Sequence, residues 1–376
     1  MIHTSEHHTP FQDIRDTRRP RRLVVAMSGG VDSSVTAHLL LSAGIEVVGL
    51  TFIRVNTPAE VDHEGFSEEA RAAREVASHL GIEHHVLNLH DLYTSRVLRR
   101  AWEEYRSGRT PNPCVLCNRT LKFGHLVRYA REVLRADGIA TGHYARIYVD
   151  AEGCVHLLRG KAGTKEQSYF LAQTRPEDLR HAYFPLGDQT KNEIRTYARH
   201  HGIPTAERPE SQDVCFNTTG LRFGEFLQEF FEEGGESGPI LDERGNVLGR
   251  HRGIHVFTIG QRRGLGVALG RPVYVKAIDP ERNAVIVTDR EEALLHRVVE
   301  AAGVNWFAPP PPRPMEVLAQ IRYAHRAAPA VLTHEGDRIR VRFHEPQRAV
   351  TPGQLLVAYV GDEVLCSGFI LQTEEG

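Results

Sequence analysis

The sequence predicts an α/β protein: a doubly wound parallel-sheet domain, then a small central domain and a C-terminal antiparallel β-barrel. Three observations predict this fold. Apolar runs alternate with helical periodicity in the first half of the chain, a Gly- and Ser-rich run follows the first apolar run, and period-two patterns between turn residues dominate the C-terminal part. At 376 residues the chain exceeds the size at which one core usually keeps growing, so several domains are expected.

The alternation of strands and helices begins at Leu23–Met27, a continuous apolar run typical of a buried parallel strand. The segment VTAHLLLSAG after it reads as a helix, and EVVGLTFI at 46–53 reads as a second strand. A second helix is predicted from its N-cap at Ser67 to Gly81, because small apolar residues recur on one face between them. His84–Leu89 is predicted to be a third strand.

Two later patterns set the rest of the architecture. The capping-box spacing of Thr190 and Glu193 predicts a helix that closes the α/β domain near residue 210. Beyond a Gly-rich turn at 234–239, and on both sides of a stiff connector at Pro309–Pro312, apolar side chains alternate as in antiparallel strands. The alternating residues are Val317, Ala319, Ile321, Tyr323, Ile339, Val341, Phe343, Leu355, Val357 and Tyr359.

These patterns divide the chain into four expected segments. They are a disordered tail at 1–20, the α/β domain at 21–212, the small central domain at 213–275 and the β-barrel at 276–376.

The composition narrows the class of protein. A net charge of −2 argues against a uniformly basic nucleic-acid binder, although a local positive face stays compatible with it. No apolar run approaches the roughly 20 residues that span a bilayer, and residues 1–20 lack the apolar middle of a secretory signal. We therefore expect a cytoplasmic protein without a membrane span, whose five cysteines stay reduced.

The run Ser28–Ser34, SGGVDSS, has the features of a phosphate-binding loop. Its glycines let the backbone approach an anion, the N–H groups at the following helix start point at it, and its serine hydroxyls add donors. Asp32 is placed to orient a magnesium–phosphate assembly. The run lacks the Walker lysine pattern, and an ordinary Gly- and Ser-rich turn is the alternative interpretation.

At these residues the chain resembles the ATP pyrophosphatases of the PP-loop superfamily. Those enzymes cleave ATP between the α and β phosphates and adenylate a carbonyl oxygen. The loop alone does not distinguish small-molecule synthetases from tRNA thiolases.

The cysteines form a second informative pattern. Cys114 and Cys117 have C-x-x-C spacing directly before a predicted helix, whose N-terminus favours the thiolate, and Cys215 lies in another polar segment. Structural zinc sites usually pair two C-x-x-C units, whereas three thiolates leave an open position that suits a catalytic cluster. Cys154 and Cys366 lie in strand-like contexts and are predicted to be structural.

Five motifs, in order along the chain, resemble those of the bacterial tRNA-specific 2-thiouridylases, and the similarity extends from about residue 22 to the C-terminus. They are GRTPNP-x-x-x-CN-x-x-x-KF from Gly108, TGHYAR at Thr141–Arg146, KEQSYFL at Lys165–Leu171, SQDVCF at Ser211–Phe216 and GQRRGLG at Gly260–Gly266.

The resemblance implies a set of site residues. The nucleophilic cysteine corresponds to Cys117 and a persulfide-carrying cysteine to Cys215. The implied ATP contacts are Ala26, Met27, Ser28, Gly29, Gly30, Val31, Asp32, Ser33, Phe52 and Gly142. The implied tRNA contacts are Asn112, Pro113, Cys114, Lys165, Glu166, Gln167, Arg322 and Tyr323.

It also implies a reaction. The substrate is the wobble uridine of tRNAs for Lys, Glu and Gln, which an anticodon loop presents without duplex melting. ATP, with Mg²⁺, adenylates the C2 carbonyl oxygen and releases pyrophosphate. Sulfur then replaces that oxygen and AMP leaves, with the sulfur supplied by a donor protein (a cysteine desulfurase or relay) or by free sulfide.

Cys114 departs from the family pattern, because many members carry an aspartate there that has been assigned acid–base work. A thiol with an ordinary pKa of about 8.5 replaces a carboxylate poorly. Cys114, Cys117 and Cys215 instead resemble the three cysteines of thiolases that hold a [4Fe–4S] cluster. Our hypothesis is that this chain uses such a cluster, and a persulfide relay is the alternative.

Two other functions compete with this interpretation. A small-molecule ATP pyrophosphatase explains Ser28–Ser34 but gives no role to the paired thiols or the barrel. A non-enzymatic RNA-binding module explains the barrel and the Arg262–Arg263 pair but not the phosphate loop. The sequence does not determine the preferred tRNA, the sulfur donor or the oligomeric state.

Overall fold

The computed structural model describes residues 13, 15–54, 67–161, 163–209, 220–267 and 270–371. Its strands, in chain order, are β1 (Arg22–Ala26), β2 (Glu46–Ile53), β3 (Glu83–Asn88), β4 (Gly138–Ala140), β5 (Ala145–Val149), β6 (Val155–Arg159), β7 (Ala182–Tyr183), β8 (Gly238–Leu241), β9 (Val247–His251), β10 (Tyr274–Asp279), β11 (Ala284–Thr288), β12 (Leu295–Trp306), β13 (Met315–Gln320), β14 (Ala328–Glu335), β15 (Arg338–Arg348), β16 (Leu355–Val360) and β17 (Glu363–Ile370).

Most of the helices lie in the first two thirds of the chain. They are α1 (Val31–Ser42), α2 (Glu68–Leu80), α3 (His90–Tyr93), α4 (Arg99–Arg106), α5 (Pro113–Cys117), α6 (Val127–Glu132), α7 (Ser168–Leu171), α8 (Pro176–Leu179), α9 (Lys191–His200) and α10 (Phe223–Phe231). π-Helical turns at Thr94–Leu98 and Asn118–Leu126 precede α4 and α6.

The first sheet is parallel, with strand order β3–β2–β1–β4–β7. Its central strand β1 is fully buried at Leu23, Val24 and Val25, as a strand covered on both faces must be. The order reverses between β1 and β4, which defines the doubly wound topology predicted from the sequence.

The local helix signals are confirmed. The hydroxyl oxygen of Ser67 accepts the N–H of Ala70 at the start of α2, and Gly81 ends that helix in a left-handed conformation. Thr190 and Glu193 form the predicted capping box of α9. These signals are local in sequence, so single-sequence reasoning finds them.

The central domain is a four-stranded sheet of order β10–β11–β8–β9 with a core that includes Val275, Val285 and Val287. The expected domain boundary at residue 275 is therefore wrong, because it cuts through β10. This strand pairs with β11 from Tyr274 to Asp279, and that pairing keeps it in the central sheet.

The barrel has the six-strand order β12–β15–β14–β13–β16–β17 and closes by pairing of β12 with β17. On β15 the predicted alternation is confirmed, since Ile339, Val341 and Phe343 are buried between exposed neighbours. β16 is different, because Leu355–Tyr359 is buried on both faces. The run Pro309–Pro312 connects β12 to β13 without secondary structure, as predicted.

The chain divides into two compact units. The N-terminal unit comprises Met1–Thr94, Cys114–Val214 and Asp362–Val364, and the C-terminal unit comprises Ser95–Pro113, Cys215–Gly361 and Leu365–Gly376. The segment Ser95–Pro113 was expected in the α/β domain and instead belongs to the C-terminal unit.

Side chains of α4 hold that segment to the rest of the C-terminal unit. The indole N–H of Trp102 donates to Glu233 at 3.0 Å, and Arg99 donates to the same carboxylate at 2.8 Å. These partners lie more than a hundred residues away in sequence, which is why local patterns do not predict the assignment.

The end of the expected tail is ordered. Arg18 pairs with the buried carboxylate of Asp16 at 2.7 Å and donates to the carbonyl oxygen of Ala182 at 2.6 Å. The N–H of Thr17 donates to the carbonyl oxygen of Val149 at 3.0 Å. The expectation of disorder is thus wrong for residues 15–20, whereas residues 1–12 and 14 lie outside the described part of the chain.

Across the described ranges, no helix combines the length and the apolar character needed to cross a bilayer.

Candidate active site

The phosphate loop joins the end of β1 to the start of α1. β1 ends at Ala26, the chain turns through Met27–Gly30, and α1 begins at Val31. Gly30 is the N-cap residue and has no side chain to bind the first-turn N–H groups, which lack intrahelical partners. Those N–H groups and the positive end of the helix dipole favour an anion at this position.

Gly29 shows why the loop needs glycine. Its φ is +69°, and a Cβ there would lie 2.6 Å from the carbonyl oxygen of Glu69 and 2.8 Å from the Cβ of Ala72. The N-terminal turns of α2 therefore pack directly behind the loop, and a side chain at this position is excluded.

The serine hydroxyls stabilise the loop itself. Ser33 and Ser34 each donate to the carbonyl oxygen of Gly30, at 3.1 and 2.9 Å. The backbone N–H of Ser28 donates to the hydroxyl oxygen of Ser33 at 3.2 Å. In this structure Ser33 and Ser34 thus shape the loop, whereas the sequence analysis treated them as donors to the anion.

The loop lies where the strand order reverses. β1 and β4 are parallel neighbours, so their carboxyl ends open the crevice in which doubly wound sheets bind ligands. Gly142 follows β4, and a Cβ there would come within 2.8 Å of the Cβ of Asp32 and 3.2 Å of the N of Ser33. The structure thus brings Gly142, an expected ATP contact, against the phosphate loop.

Asp32 is held by two donors. The Nζ of Lys191 lies 2.7 Å from each carboxylate oxygen, and the hydroxyl of Tyr144 donates to Oδ1 at 2.7 Å. The side chains of Asp32 and Lys191 are 30% and 15% exposed, so the pair is reachable from solvent. Lys191 and Tyr144 were not predicted from the sequence, although Lys191 directly follows Thr190, the predicted N-cap residue.

Behind the loop, hydrogen bonds connect the buried Met27 and Thr51 to the half-buried His84. The hydroxyl of Thr51 donates to the carbonyl oxygen of Met27 at 2.8 Å and lies 2.9 Å from Nε2 of His84. Since that hydroxyl has one hydrogen, Nε2 is the donor in the second contact. Burial lowers the pKa of His84 to about 4, with smaller effects from Arg74 and His85, so the imidazole is neutral.

Phe52, an expected adenine contact, is buried near the carboxyl end of β2. The guanidinium of Arg54 lies 5.3 Å from its ring centroid and also pairs with Glu69. β2 and β4 flank β1, so Phe52, on β2, and Gly142, just after β4, lie at either side of the phosphate loop. Their contact with adenine stays a prediction.

Cys114 and Cys117 are the second and fifth residues of a helix. Their predicted position just before it is wrong, because Pro113 is the first residue of α5; a proline fits there without losing a hydrogen bond. α5 continues into the π-helical turn Asn118–Leu126. Cys117 is 6% exposed and Cys114 is half-buried.

Two hydrogen bonds fix the turn after the thiols. The amide of Asn118 donates to the carbonyl oxygen of Phe170 at 3.1 Å, and the guanidinium of Arg119 donates to Gln173 at 2.8 Å. These bonds connect the thiol helix to the chain just after the KEQ segment at 165–167.

The third thiol of the proposed cluster, Cys215, lies outside the described residues. Within the part of the chain that the structure covers, no group of three or more His, Cys, Asp or Glu residues is arranged to hold a metal ion. Cys154 is exposed and Cys366 is buried in the barrel, where burial raises its pKa. A cluster at the other three cysteines stays a prediction.

The three residues of the KEQ segment differ in exposure and in hydrogen bonding. Lys165 is exposed, whereas burial raises the pKa of Glu166, whose carboxylate accepts the N–H of Ser168. Gln167 is bonded to Tyr144 twice. Its side-chain oxygen accepts the N–H of Tyr144 at 3.0 Å, and its own N–H donates to the carbonyl oxygen of Tyr144 at 2.9 Å.

In the C-terminal unit, the chain leading to the thiols is tied to the barrel. The N–H of Thr110 donates to the carbonyl oxygen of Pro352 at 2.9 Å. The side-chain amide of Gln354 donates to the carbonyl oxygens of Thr110 and Pro111, at 3.0 and 3.2 Å. These bonds hold the residues just before the buried Asn112. Gln354 was not predicted from the sequence.

The other expected tRNA contacts follow β13. Gln320 donates to the carbonyl oxygens of Arg322 and Tyr323, at 3.1 and 2.9 Å, which fixes the turn that carries them. Arg262 and Arg263 of the GQRRGLG motif are exposed on another turn, in which Gln261 donates to the carbonyl oxygen of Arg263 at 2.9 Å.

Fold and site together define a nucleotide-binding α/β domain joined to two β-domains, and family comparisons agree. Residues 21–219 match the tRNA methyl transferase HUP domain, 224–289 its PRC-barrel domain and 297–370 the aminomethyltransferase beta-barrel domain.

Curated relatives specify the family. The tRNA-specific 2-thiouridylase MnmA of Moorella thermoacetica is 47% identical over 356 residues, which cover 92% of this chain and 98% of the relative. The protein of the same name from Syntrophotalea carbinolica is 45% identical over 351 residues, covering 93% and 98%. The chain belongs to the tRNA-specific 2-thiouridylase family.

Among solved structures, a 4-thiouridine synthetase in complex with RNA and bound ATP matches 52% of this chain and 44% of its own, at 18% identity and a TM-score of 0.36. A similarity this low says nothing about activity.

Proposed function

We propose that this protein is a tRNA-uridine 2-sulfurtransferase, which adenylates the C2 carbonyl of the wobble uridine in tRNAs for Lys, Glu and Gln and replaces its oxygen by sulfur. The products are 2-thiouridine, AMP and pyrophosphate. The observation that carries the proposal is the phosphate loop at Gly29–Gly30, with Asp32 and Lys191 beside it, in a chain that also carries paired thiols at a helix start.

In the activation step the first-turn N–H groups of α1 bind phosphate oxygens of ATP, and Lys191 adds a positive charge. Asp32 would hold Mg²⁺, which would supply positive charge beside the leaving pyrophosphate. The uracil O2 attacks the α-phosphorus, and the bond from that phosphorus to the bridging oxygen breaks. Pyrophosphate leaves with the electron pair.

In the sulfur step a sulfur nucleophile attacks C2 of the adenylated base. The C2–O bond then breaks, and AMP carries the former carbonyl oxygen away. Adenylation is required because an unactivated oxide is a very poor leaving group.

The sulfur source is proposed from the thiols. Cys114, Cys117 and Cys215 would hold a [4Fe–4S] cluster that, when bound, carries sulfide on its fourth iron. The alternative is a relay in which Cys215 carries a persulfide and Cys117 is the nucleophile. Iron, acid-labile sulfide and EPR analysis of anaerobically purified protein tests this, and metal-free protein with full thiolation activity would exclude the cluster.

The partners in this proposal are tRNA and a sulfur donor, either a desulfurase-type protein or free sulfide. The reaction would take place in the cytoplasm, where tRNA and ATP are available together.

The test of the function is pyrophosphate release from ATP with and without unmodified tRNA, using wild-type protein and Cys117→Ser. We expect release only with tRNA, and loss of thiolation in Cys117→Ser with tRNA binding retained. The matched control is Cys154→Ser, an exposed thiol whose loss should leave thiolation unchanged. Release that ignores tRNA would instead support a small-molecule ATP pyrophosphatase.

A further inference from the structure

Tyr144 connects two parts of the N-terminal unit that the proposed function treats separately. It stands between β4 and β5, with its ring buried against α1 and α9 beside Val31, Val35 and Ile194. Its hydroxyl reaches the carboxylate at the phosphate loop, and its main chain is bonded to the KEQ segment. This one residue therefore touches the expected ATP site and an expected tRNA contact.

The first of these connections is the hydrogen bond from the Tyr144 hydroxyl to Asp32. The Tyr144 hydroxyl donates to Oδ1 of Asp32 at 2.7 Å, where Lys191 is the other side-chain donor. A hydrogen bond to a charged group is stronger than a neutral one and fixes the orientation of the carboxylate. If Lys191 turns toward phosphate oxygens, the Tyr144 hydroxyl is the donor that still orients Asp32.

The main-chain end of the link is a pair of hydrogen bonds. Gln167 accepts the N–H of Tyr144 through its side chain and donates its own N–H to the Tyr144 carbonyl oxygen, at 3.0 and 2.9 Å. Both backbone groups of Tyr144 are thus held by one residue. A displacement of Gln167 would move the Tyr144 backbone, and the rigid ring would carry that movement to its hydroxyl.

We infer that Tyr144 is a positioning residue that couples occupancy of the KEQ segment by tRNA to the orientation of Asp32 at the phosphate loop. The inference rests on the proposed function and adds its regulation, because tRNA and ATP strengthen each other's binding through Gln167, Tyr144 and Asp32. A futile cleavage of ATP without tRNA is thereby suppressed.

The test measures the coupling directly. The dissociation constant of α,β-methylene-ATP is determined with and without saturating unmodified tRNA, and the ratio of the two constants is the coupling factor. For the wild type we expect a factor of about five or more, and thermodynamic linkage requires the same factor for tRNA affinity with and without nucleotide. Tyr144→Phe removes only the hydroxyl and should bring the factor close to one.

If the Tyr144 hydroxyl had a purely structural role, its removal would change the nucleotide affinity equally with and without tRNA, and the coupling factor would stay the same. The matched control is Tyr148→Phe, because Tyr148 lies on β5 and its hydroxyl accepts from Arg15 at 3.1 Å, away from Asp32. This control should keep the wild-type factor. An unchanged factor in Tyr144→Phe, or a wild-type factor of one, would overturn the inference.

Variants of Gln167 test the other end of the link and cover the case in which Tyr144→Phe folds poorly. Gln167→Glu keeps an oxygen acceptor for the Tyr144 N–H and should retain the coupling factor even if its charge weakens tRNA binding. Gln167→Leu removes the acceptor and should lose the coupling; equal factors in the two variants would contradict the link. A wild type that binds neither ligand would instead count against the proposed function.

Discussion

At the scale of single residues, the ion pair between Asp32 and Lys191 sets the charge beside the phosphate loop. Lys191 neutralises Asp32 at 2.7 Å, and both side chains remain partly exposed. A phosphate group competes with Asp32 for the same ammonium, because both are oxyanions within reach of one cation. Lys191 is therefore suited to change partners when a nucleotide binds.

Replacing Lys191 with Gln tests this assignment. We expect tRNA-dependent pyrophosphate release to fall by about 10²-fold or more, since a preorganised cation at the developing charge is lost. Binding of tRNA should change little. The control is Lys161→Gln, whose Nζ pairs with Asp188 on the surface at 2.9 Å; equal rates in the two variants would remove Lys191 from the site.

Arg322 carries a prediction about binding rather than chemistry. Arg322→Ala should weaken tRNA binding and reduce the slope of log K against log salt by about one, because one phosphate contact is lost. Thiolation at saturating tRNA should be retained. The control is Arg313→Ala, because Arg313 is exposed on the β12–β13 connector; it should leave the salt slope at the wild-type value. A wild-type slope in Arg322→Ala as well would contradict a phosphate contact at Arg322.

At this scale, the sequence predicted residues that lie in a local motif and missed residues whose partners are distant in sequence. Asp32 lies inside a recognisable motif, so its place at the phosphate loop was predicted. Its partners Tyr144 and Lys191 lie 112 and 159 residues further along the chain, and only the folded sheet brings them together. Gln354 was missed for the same reason, since its partner Thr110 is 244 residues away.

At the scale of elements, the junction of β1 and α1 depends on the packing of α2 behind it. Gly29 has a left-handed backbone, and its missing side chain leaves room for Glu69 and Ala72 of α2. Gly44 also has a left-handed backbone, with φ of +78°, but a Cβ there would meet nothing within 4 Å. The two glycines thus separate backbone strain from steric exclusion.

Gly29→Ala and Gly44→Ala form a matched pair. Gly44→Ala should lower the free energy of unfolding by about 1 kcal/mol through backbone strain alone. Gly29→Ala should cost about 1–3 kcal/mol more, because α2 must shift, and it should also impair nucleotide binding. Urea denaturation and nucleotide titration measure both effects, and equal losses in the two variants would show that α2 does not confine the loop.

Element prediction succeeded where the signals are local. Ser67 and Thr190 mark helix starts by their own hydrogen bonds, and alternation identified β15. The π-helical turn at Asn118–Leu126 was not predicted; its first residue is bonded to Phe170, 52 residues away, and such a contact leaves no local signature. The residues around Cys215 lie outside the described part of the chain, so the role of Cys215 rests on sequence alone.

At the scale of the whole molecule, acid stability should reflect two histidines of the first domain whose pKa is lowered by burial. The pKa of His84 is lowered to about 4, mainly by burial, and that of the buried His143 is also lowered. Between pH 4 and the ordinary histidine pKa of about 6.5 the unfolded chain therefore binds more protons than the folded chain. Stability rises with pH across this window and is lost as the pH falls through it.

His84→Gln should reduce that pH dependence. We expect the difference in free energy of unfolding between pH 7 and pH 5 to be smaller in the variant than in the wild type, because one imidazole with a lowered pKa is gone. Urea denaturation at the two pH values measures it. The exposed His200, replaced by Gln, is the control, and an unchanged pH dependence in His84→Gln would show that His84 is not kept neutral by the fold.

The domain order was predictable because each domain has its own periodicity: strand and helix alternation in the first, period two in the last. The assignment of Ser95–Pro113 to the C-terminal unit was not predictable, since it depends on contacts between distant segments such as Trp102 and Glu233. Such contacts leave no local signature in the sequence.

The central claim is that the phosphate loop and the thiols serve one reaction on a wobble uridine. The most direct measurement is nucleoside analysis by mass spectrometry after anaerobic incubation of the protein with ATP, Mg²⁺, sulfide and unmodified tRNA for Lys, Glu or Gln. We predict one 2-thiouridine per tRNA at the wobble position, with one AMP and one pyrophosphate formed for each. Nucleotide cleavage without sulfur in the tRNA, or sulfur at another position, would contradict the account.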